Sequence, residues 1–207
     1  MSKKPSAAFL WAVAAIITAP SSLIAESRGY FVRPADGSRM ALIVEKTGLY
    51  SGKKHLFLFE KYQGALQFDA QHPEQSSMNL VIESGSLVCK DTWINAKDLR
   101  KVTETALDDM LAAKRFPSMT FQSQSIRMTE PNRFEAKGTL EIRGMARPVT
   151  VLVQLAASNP AMLRIEGSAK VFITHYGLKP PSAVLGAIGT KDEMRFAFQL
   201  SAEPAGL

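Results

Sequence analysis

Residues Arg133–Leu155 read RFEAKGTLEIRGMARPVTVLVQL, and their pattern decides the fold class. Phe134, Ala136, Gly138, Leu140 and Ile142 alternate with Glu135, Lys137, Thr139 and Glu141. A period of two puts the first set on one face and the second on the other, as in a strand with one buried and one wet side. After a break at Gly144 to Pro148, Val149, Val151, Val153 and Leu155 repeat the alternation. Two such strands around a short Gly- and Pro-containing connection predict an antiparallel hairpin.

Working outward, the chain keeps this rhythm. Strands are predicted near Arg39 to Glu45, Lys54 to Tyr62, Ala65 to Phe68, Met78 to Glu83, Leu87 to Lys90, Met119 to Met128, Arg133 to Ile142, Val149 to Leu155, Met162 to Thr174 and Met194 to Ala202. Several short strands separated by turn signals indicate an all-β sandwich or barrel, with some of these ten pieces being halves of one bent strand. Glu130, Pro131 and Asn132 mark a second hairpin, and sequential meander pairing follows. Phe196, Phe198 and Leu200 share one side of the last strand, and Ile165, Gly167, Ala169, Val171 and Ile173 one side of the strand before it. The small residues Gly138, Gly167 and Ala169 suit a tapered interior or a cavity.

Two segments break the rhythm. Between Ala96 and Ala113, Leu99, Val102, Ala106, Leu107, Met110 and Leu111 recur at helical spacing, which predicts one or two short helices, with Thr105 and Asp108 capping a second turn. Pro117 ends the helical stretch and the next strand follows it. From Gly177 to Asp192, Pro180, Pro181, Gly186 and Gly189 enclose Ala183, Val184, Leu185 and Ile188. A loop of that length with apolar contents reads as a flap over a barrel mouth.

The 207 residues suffice for one domain, and 46% hydrophobic with 21% charged residues is a globular balance. Residues 1–25 differ: Lys3 and Lys4 precede an apolar run from Ala7 to Ala19, and Pro20, Ser21 and Ser22 lead to Ala25, a cleavage position before Glu26. This is the pattern of a secretory signal peptide, with residues 26–207 as the mature domain and the periplasm as its expected location. The run is short for a membrane span, so an uncleaved anchor is the weaker reading. Loss of Lys3 and Lys4 lowers the net charge from +6 to +4. The basic residues are scattered, which excludes a nucleic-acid stripe and leaves weak, transient contact with an anionic membrane surface. The single cysteine, Cys89, rules out an intrachain disulfide and reads as a small buried residue.

Catalytic signatures are missing from the sequence. His55, His72 and His175 are scattered without metal-ligand spacing. There is no Gly-x-Ser-x-Gly elbow, and Gly186 to Lys191 lacks the order of a phosphate loop. No metal, no cofactor and no catalytic residue is expected.

Tyr62 to Asp69 (YQGALQFD), Arg115 to Ser123 (RFPSMTFQS), His175 to Leu178 (HYGL), Gly189 to Leu200 and above all Gly138 to Val153 (GTLEIRGMARPVTVLV) resemble the YceI-like family of bacterial periplasmic lipocalin-like proteins. The resemblance runs over roughly residues 38 to 203. It departs from the family at Ser38 to Lys46, which lacks the acidic and histidine-containing opening, and at Arg100 to Lys114, which is longer and more helical. The resemblance implies an antiparallel eight-stranded barrel whose tunnel holds a polyisoprenoid, quinone or fatty-acid derivative. In such a barrel a lipid would meet Phe121, Phe134, Leu140, Val151, Val171, Ile173, Phe196 and Phe198 from the strands, and Val184 and Leu185 from the loop. The expected activity is carriage, not catalysis. A lipid-modifying enzyme using His55, His175 or Cys89 is the lesser alternative, as is a filled barrel serving a membrane redox complex. Arg143 and Arg147 flank the central turn as solvated charges or as contacts for a phosphate headgroup. Oligomeric state is open, a homodimer included.

Overall fold

The alternation of Arg133–Leu155 survives residue for residue in the computed structural model, which describes residues 27–159 and 162–206. Eleven strands run from β1 (Arg28–Val32), β2 (Arg39–Gly48), β3 (Lys54–Phe59), β4 (Tyr62–Phe68), β5 (Ser77–Glu83) and β6 (Leu87–Cys89) to β7 (Ser118–Glu130), β8 (Arg133–Ile142), β9 (Met145–Asn159), β10 (Met162–Phe172) and β11 (Ile188–Pro204). The predicted signal segment, residues 1–25, lies outside the described residues.

These eleven pieces make eight staves of one closed antiparallel barrel. The long β11 pairs with β2 through Ile188–Gln199 and then with β1 through Ala202–Pro204, so β1 and β2 are halves of one bent stave. By the same logic β3 pairs with β2 while β4 pairs with β1, and β6 pairs with β3 while β5 pairs with β4. From β5 onward the meander β7, β8, β9, β10, β11 is sequential. Closure removes the free edges that an open sheet would expose.

The side-chain alternation then builds the core. Tyr30, Met40, Leu42, Phe57, Leu66, Leu80, Met119, Phe134, Leu140, Val151, Ile165, Phe196 and Leu200 all belong to one buried cluster. The central turn is tighter than the sequence suggested. Arg143 and Gly144 both take positive φ, 54° and 72°, the two-residue arrangement whose twist matches antiparallel strands. Consequently β9 already begins at Met145, and Pro148 lies inside it opposite Thr139.

Gly138 and Gly167 turn out to serve their aromatic neighbours. A Cβ on Gly138 would lie 2.3 Å from the Gln122 carbonyl oxygen and 2.8 Å from the Phe121 ring. On Gly167 it would lie 2.4 Å from the Leu152 carbonyl oxygen and 2.5 Å from the Phe198 ring. Each glycine thus lets a phenylalanine ring approach the strand closely, and the rings occupy space the small residues would otherwise leave open.

One break in the sheet gives the barrel its special end. Ser118 of β7 pairs with Glu83, at the end of β5, but β6 has no partner other than β3 among the described strands. Helix α1 (Ala96–Glu104) and a continuing π-helical turn, Thr105–Met110, connect the two sides of that gap. Asn95 caps the helix by accepting from the Lys97 and Asp98 N–H groups at 3.0 and 2.9 Å. Thr105 and Asp108 do not cap a second helix: the chain widens into a π turn instead, with the Leu111 N–H donating to the Ala106 carbonyl at 2.9 Å. The expected Gly177–Asp192 loop is also shorter, because Ile188 to Thr190 already pair with β2. Among the described residues no helix is long and apolar enough to cross a membrane.

A Gly138→Ala change must move either backbone or the Phe121 ring, so a loss of about 1 to 3 kcal/mol of unfolding free energy is expected. Gly85→Ala, whose added methyl meets nothing within 4 Å, should be near neutral. Urea denaturation of the two variants checks the difference.

Candidate functional site

Two apolar cavities lie end to end inside the barrel. The inner one, about 130 Å³, is lined only by apolar side chains, among them Phe121, Phe134, Leu140, Val151, Phe198 and Phe196. The outer one, about 400 Å³, lies under α1 and the loop that precedes β11. Phe196 forms part of both walls. It is the partition between them, with its ring stacked near Phe59 at 6.2 Å.

The outer cavity changes character toward its rim. Its depth is formed by Leu42, Phe57, Met119, Ile142 and Ile173, and its roof by Val102, Ala106, Met110 and Leu111 from the helical segment. Lys46, His55, Lys101, Thr105, Ser182 and Thr190 add polar groups. Lys46 continues the inward series Met40, Leu42, Val44 of β2, so strand geometry aims a cation inward. Its Nζ donates to the Thr190 hydroxyl at 3.4 Å. Burial lowers the Lys46 pKa while the Asp91 carboxylate pulls it back up.

Three ties hold the roof and wall. Arg143 Nη1 donates to the Asp109 and Met110 carbonyls at 2.8 and 3.2 Å, satisfying carbonyls at the end of the helical segment. Arg147 Nε donates to the His175 carbonyl at 2.7 Å. Tyr176 donates its buried hydroxyl to the Leu140 carbonyl at 3.2 Å, and burial pushes its pKa up to about 12. Both arginines therefore clamp backbone carbonyls, through hydrogen bonds that lie largely at the surface.

The residues expected to meet a lipid are distributed unevenly. Phe121, Phe134, Leu140, Val151 and Phe198 border the inner cavity, Ile173 the outer one, and Phe196 both. Val171 is buried in the core but borders neither. Val184 and Leu185 point to solvent, Leu185 fully exposed, because each adopts a positive φ, 52° and 51°, that turns its side chain off the cavity. Leu178, Pro181, Ser182 and Ala183 line it in their place. Lys46 and Lys101 were not singled out as cavity residues from sequence. Lys46 could have been, since extending the β2 alternation by two residues reaches it.

A polar cluster stands behind one wall. The β3–β6 register places Cys89 opposite Phe57, which brings His55 beside Asp91. His55 Nδ1 lies 2.5 Å from Asp91 Oδ2, Asp91 Oδ1 accepts from the Leu56 N–H at 2.8 Å, and Trp93 stacks on the imidazole. Burial pushes the Cys89 thiol up to about 11. A thiol held protonated is a weak nucleophile, so the trio does not read as a cysteine protease-like triad.

A closed eight-stranded antiparallel barrel with an apolar interior and one polar-rimmed end defines the class of small lipocalin-like β-barrels. Within that class the YceI-like domain model matches residues 35–202, and the chain belongs to that family. Among curated relatives, a UPF0312 protein of Azotobacter vinelandii is 21% identical over 126 residues, 58% of this chain and 62% of that protein. A UPF0312 protein of Pseudomonas putida is 28% identical over 92 residues, 44% of each chain. The chain thus matches less than two thirds of these relatives' length. Solved structures share the fold: BcnA of Burkholderia cenocepacia has a TM-score of 0.64 at 22% identity, covering 80% of this chain and 96% of its own. A polyisoprenoid binding domain of Saccharophagus degradans, implicated in plant cell wall breakdown, has a TM-score of 0.57 at 13% identity, covering 84% and 98%.

Proposed function

We propose that this protein is an exported carrier that holds the tail of an isoprenoid or similar apolar lipid in its barrel and loads it at the end covered by α1. The observation that carries this reading is the pair of cavities sharing Phe196, one wholly apolar and one with a polar rim. That gradient fits an amphiphile with its tail inward and its head near Lys46 and Lys101. The Saccharophagus neighbour's description as a polyisoprenoid binding domain points the same way, and residues 1–25 support export to the periplasm.

Size refines the guest. At roughly 30 Å³ per water-sized group, the two cavities accept on the order of 15 to 20 tail carbons. At ~0.8 kcal/mol per methylene the gross gain, on the order of 12 to 16 kcal/mol, stays under the ceiling for non-covalent binding. A 40-carbon tail would exceed both limits, so longer isoprenoids would leave part of the tail outside or displace the Phe196 ring.

The outer tip supports delivery at a membrane. Leu49 and Tyr50, in the β2–β3 turn, are exposed beside Val184 and Leu185, with the Leu49 N–H donating to the Ala187 carbonyl at 3.0 Å. Two successive residues at positive φ, one of them β-branched, are costly and persist where their exposure serves a purpose. Tyr50 packs 5.5 Å from Trp93, whose ring has Lys53 above it at 5.9 Å. Exposed aliphatics, amphipathic aromatics and a lysine together suit an anionic bilayer interface.

Native mass spectrometry of protein purified from its own host should find one extractable apolar lipid per chain; an empty barrel that also ignores polyprenol and quinone analogues would refute carriage. Separately, the Leu49→Ser/Leu185→Ser variant should lose at least about tenfold in partitioning onto phosphatidylglycerol vesicles, two aliphatic side chains being worth well over 1.4 kcal/mol when buried, yet keep its lipid. Unchanged partitioning would rule out the tip as the docking point.

A further inference from the structure

The trio of His55, Cys89 and Asp91 is more polar than holding an apolar tail requires, and its composition is unusual for a barrel interior. Cys89 and His55 are buried, and Asp91 has a side chain only 1% exposed. One imidazole nitrogen, the Cys89 Sγ and one carboxylate oxygen of Asp91 all lie within 4.8 Å of one another. Buried carboxylates are expensive unless charge and hydrogen bonding compensate them. Here the compensation consists of the Leu56 N–H, the His55 ring and the field of Lys46.

We propose that His55, Cys89 and Asp91 form a binding site for a borderline transition-metal cation, zinc being the best match. The donor set decides the class of ion. A thiolate disfavours the hard cations magnesium and calcium, a carboxylate disfavours copper(I), and an imidazole–thiolate–carboxylate set is what zinc accepts. Charge agrees, because a thiolate and a carboxylate neutralise a divalent ion, and a neutral site is the cheapest to keep buried.

The geometry needs little movement. Zinc bonds of about 2.0 to 2.3 Å put tetrahedral donors about 3.3 to 3.6 Å apart. The His55–Asp91 separation of 2.5 Å must therefore open by about 1 Å, and the longest donor separation, no more than 4.8 Å, must close by a similar amount. Two adjacent antiparallel strands position the donors: His55 lies on β3, Cys89 ends β6, and Asp91 stands two residues beyond that end. Binding exchanges protons for metal, since the Cys89 thiol and any proton shared by His55 and Asp91 must leave. Three protein donors leave a fourth position for water or another oxygen ligand, and His55 alone of the three borders the outer cavity.

Cobalt(II) serves as the spectroscopic stand-in for zinc. Titrated into metal-free, reduced protein, it should give the thiolate-to-cobalt charge-transfer band and the intense visible bands of a tetrahedral site, saturating at one equivalent and bleached by added zinc. Cys89→Ser should abolish the charge-transfer band. Asp91→Asn should weaken affinity by at least roughly tenfold, since even the loss of an outer-shell partner costs that much. His72→Ala, at an exposed histidine, should change nothing. The wild-type spectrum decides the matter even where a variant fails to fold: no thiolate band, or octahedral bands only, overturns the site. So does a band that persists in folded Cys89→Ser or disappears in His72→Ala. None of these readouts depends on whether the barrel carries lipid.

Discussion

Closure of the barrel through β11 is the constraint on which the rest depends. One strand of seventeen residues pairs with β10 along one edge and with β2 and then β1 along the other. With every stave paired, each inward side chain faces the same enclosed space, which must be filled by protein or by a guest. An eight-stranded barrel is just wide enough for either solution, and in this molecule packed rings alternate with open space. Over Gly138 and Gly167 the Phe121 and Phe198 rings fill the space; beyond Phe196 the wall recedes and a larger cavity remains.

That larger cavity exists because the staves part company. Where β6 leaves β7, a helix and a π turn replace a strand pair, and their apolar side chains roof the opening. The Arg143 guanidinium fastens the roof to the central hairpin, so the turn that first revealed the fold also secures the end where a lipid would enter. Of the polar groups that collect there, Lys46, His55 and Thr190 belong to strands that run past the end of the dry core, while Lys101 and Thr105 come from the helical segment.

Much of the fold was legible because alternation is a local property. The strand Arg133–Ile142 coincides with β8, and the bent staves were foreshadowed by short pieces lacking hairpin turns between them. β1 was not predicted: Arg28–Val32 is a five-residue run close to the apolar stretch of residues 7–19, and it gains strand character only from pairing with β4 and β11. Ile188–Thr190 read as loop because Gly189 carries no strand signal, yet pairing with β2 makes it sheet. The site was less legible. Apolar content marked Val184 and Leu185 as lipid contacts in a flap over the barrel mouth, but backbone dihedrals turn them to solvent. His55, Cys89 and Asp91 are 34 and 2 residues apart in sequence, and only strand register makes them neighbours. Spacing rules for metal sites see ligands on one helix or one turn, not across two strands.

The central claim is that the barrel interior is a dry compartment of finite length for a lipid tail. Calorimetric titration with a series of isoprenols of increasing length tests it most directly. Affinity should climb by about fourfold per added methylene-sized increment at first, then level off near 15 to 20 carbons, the length set by the two cavities. Affinity independent of chain length, or no binding across the series, would contradict it.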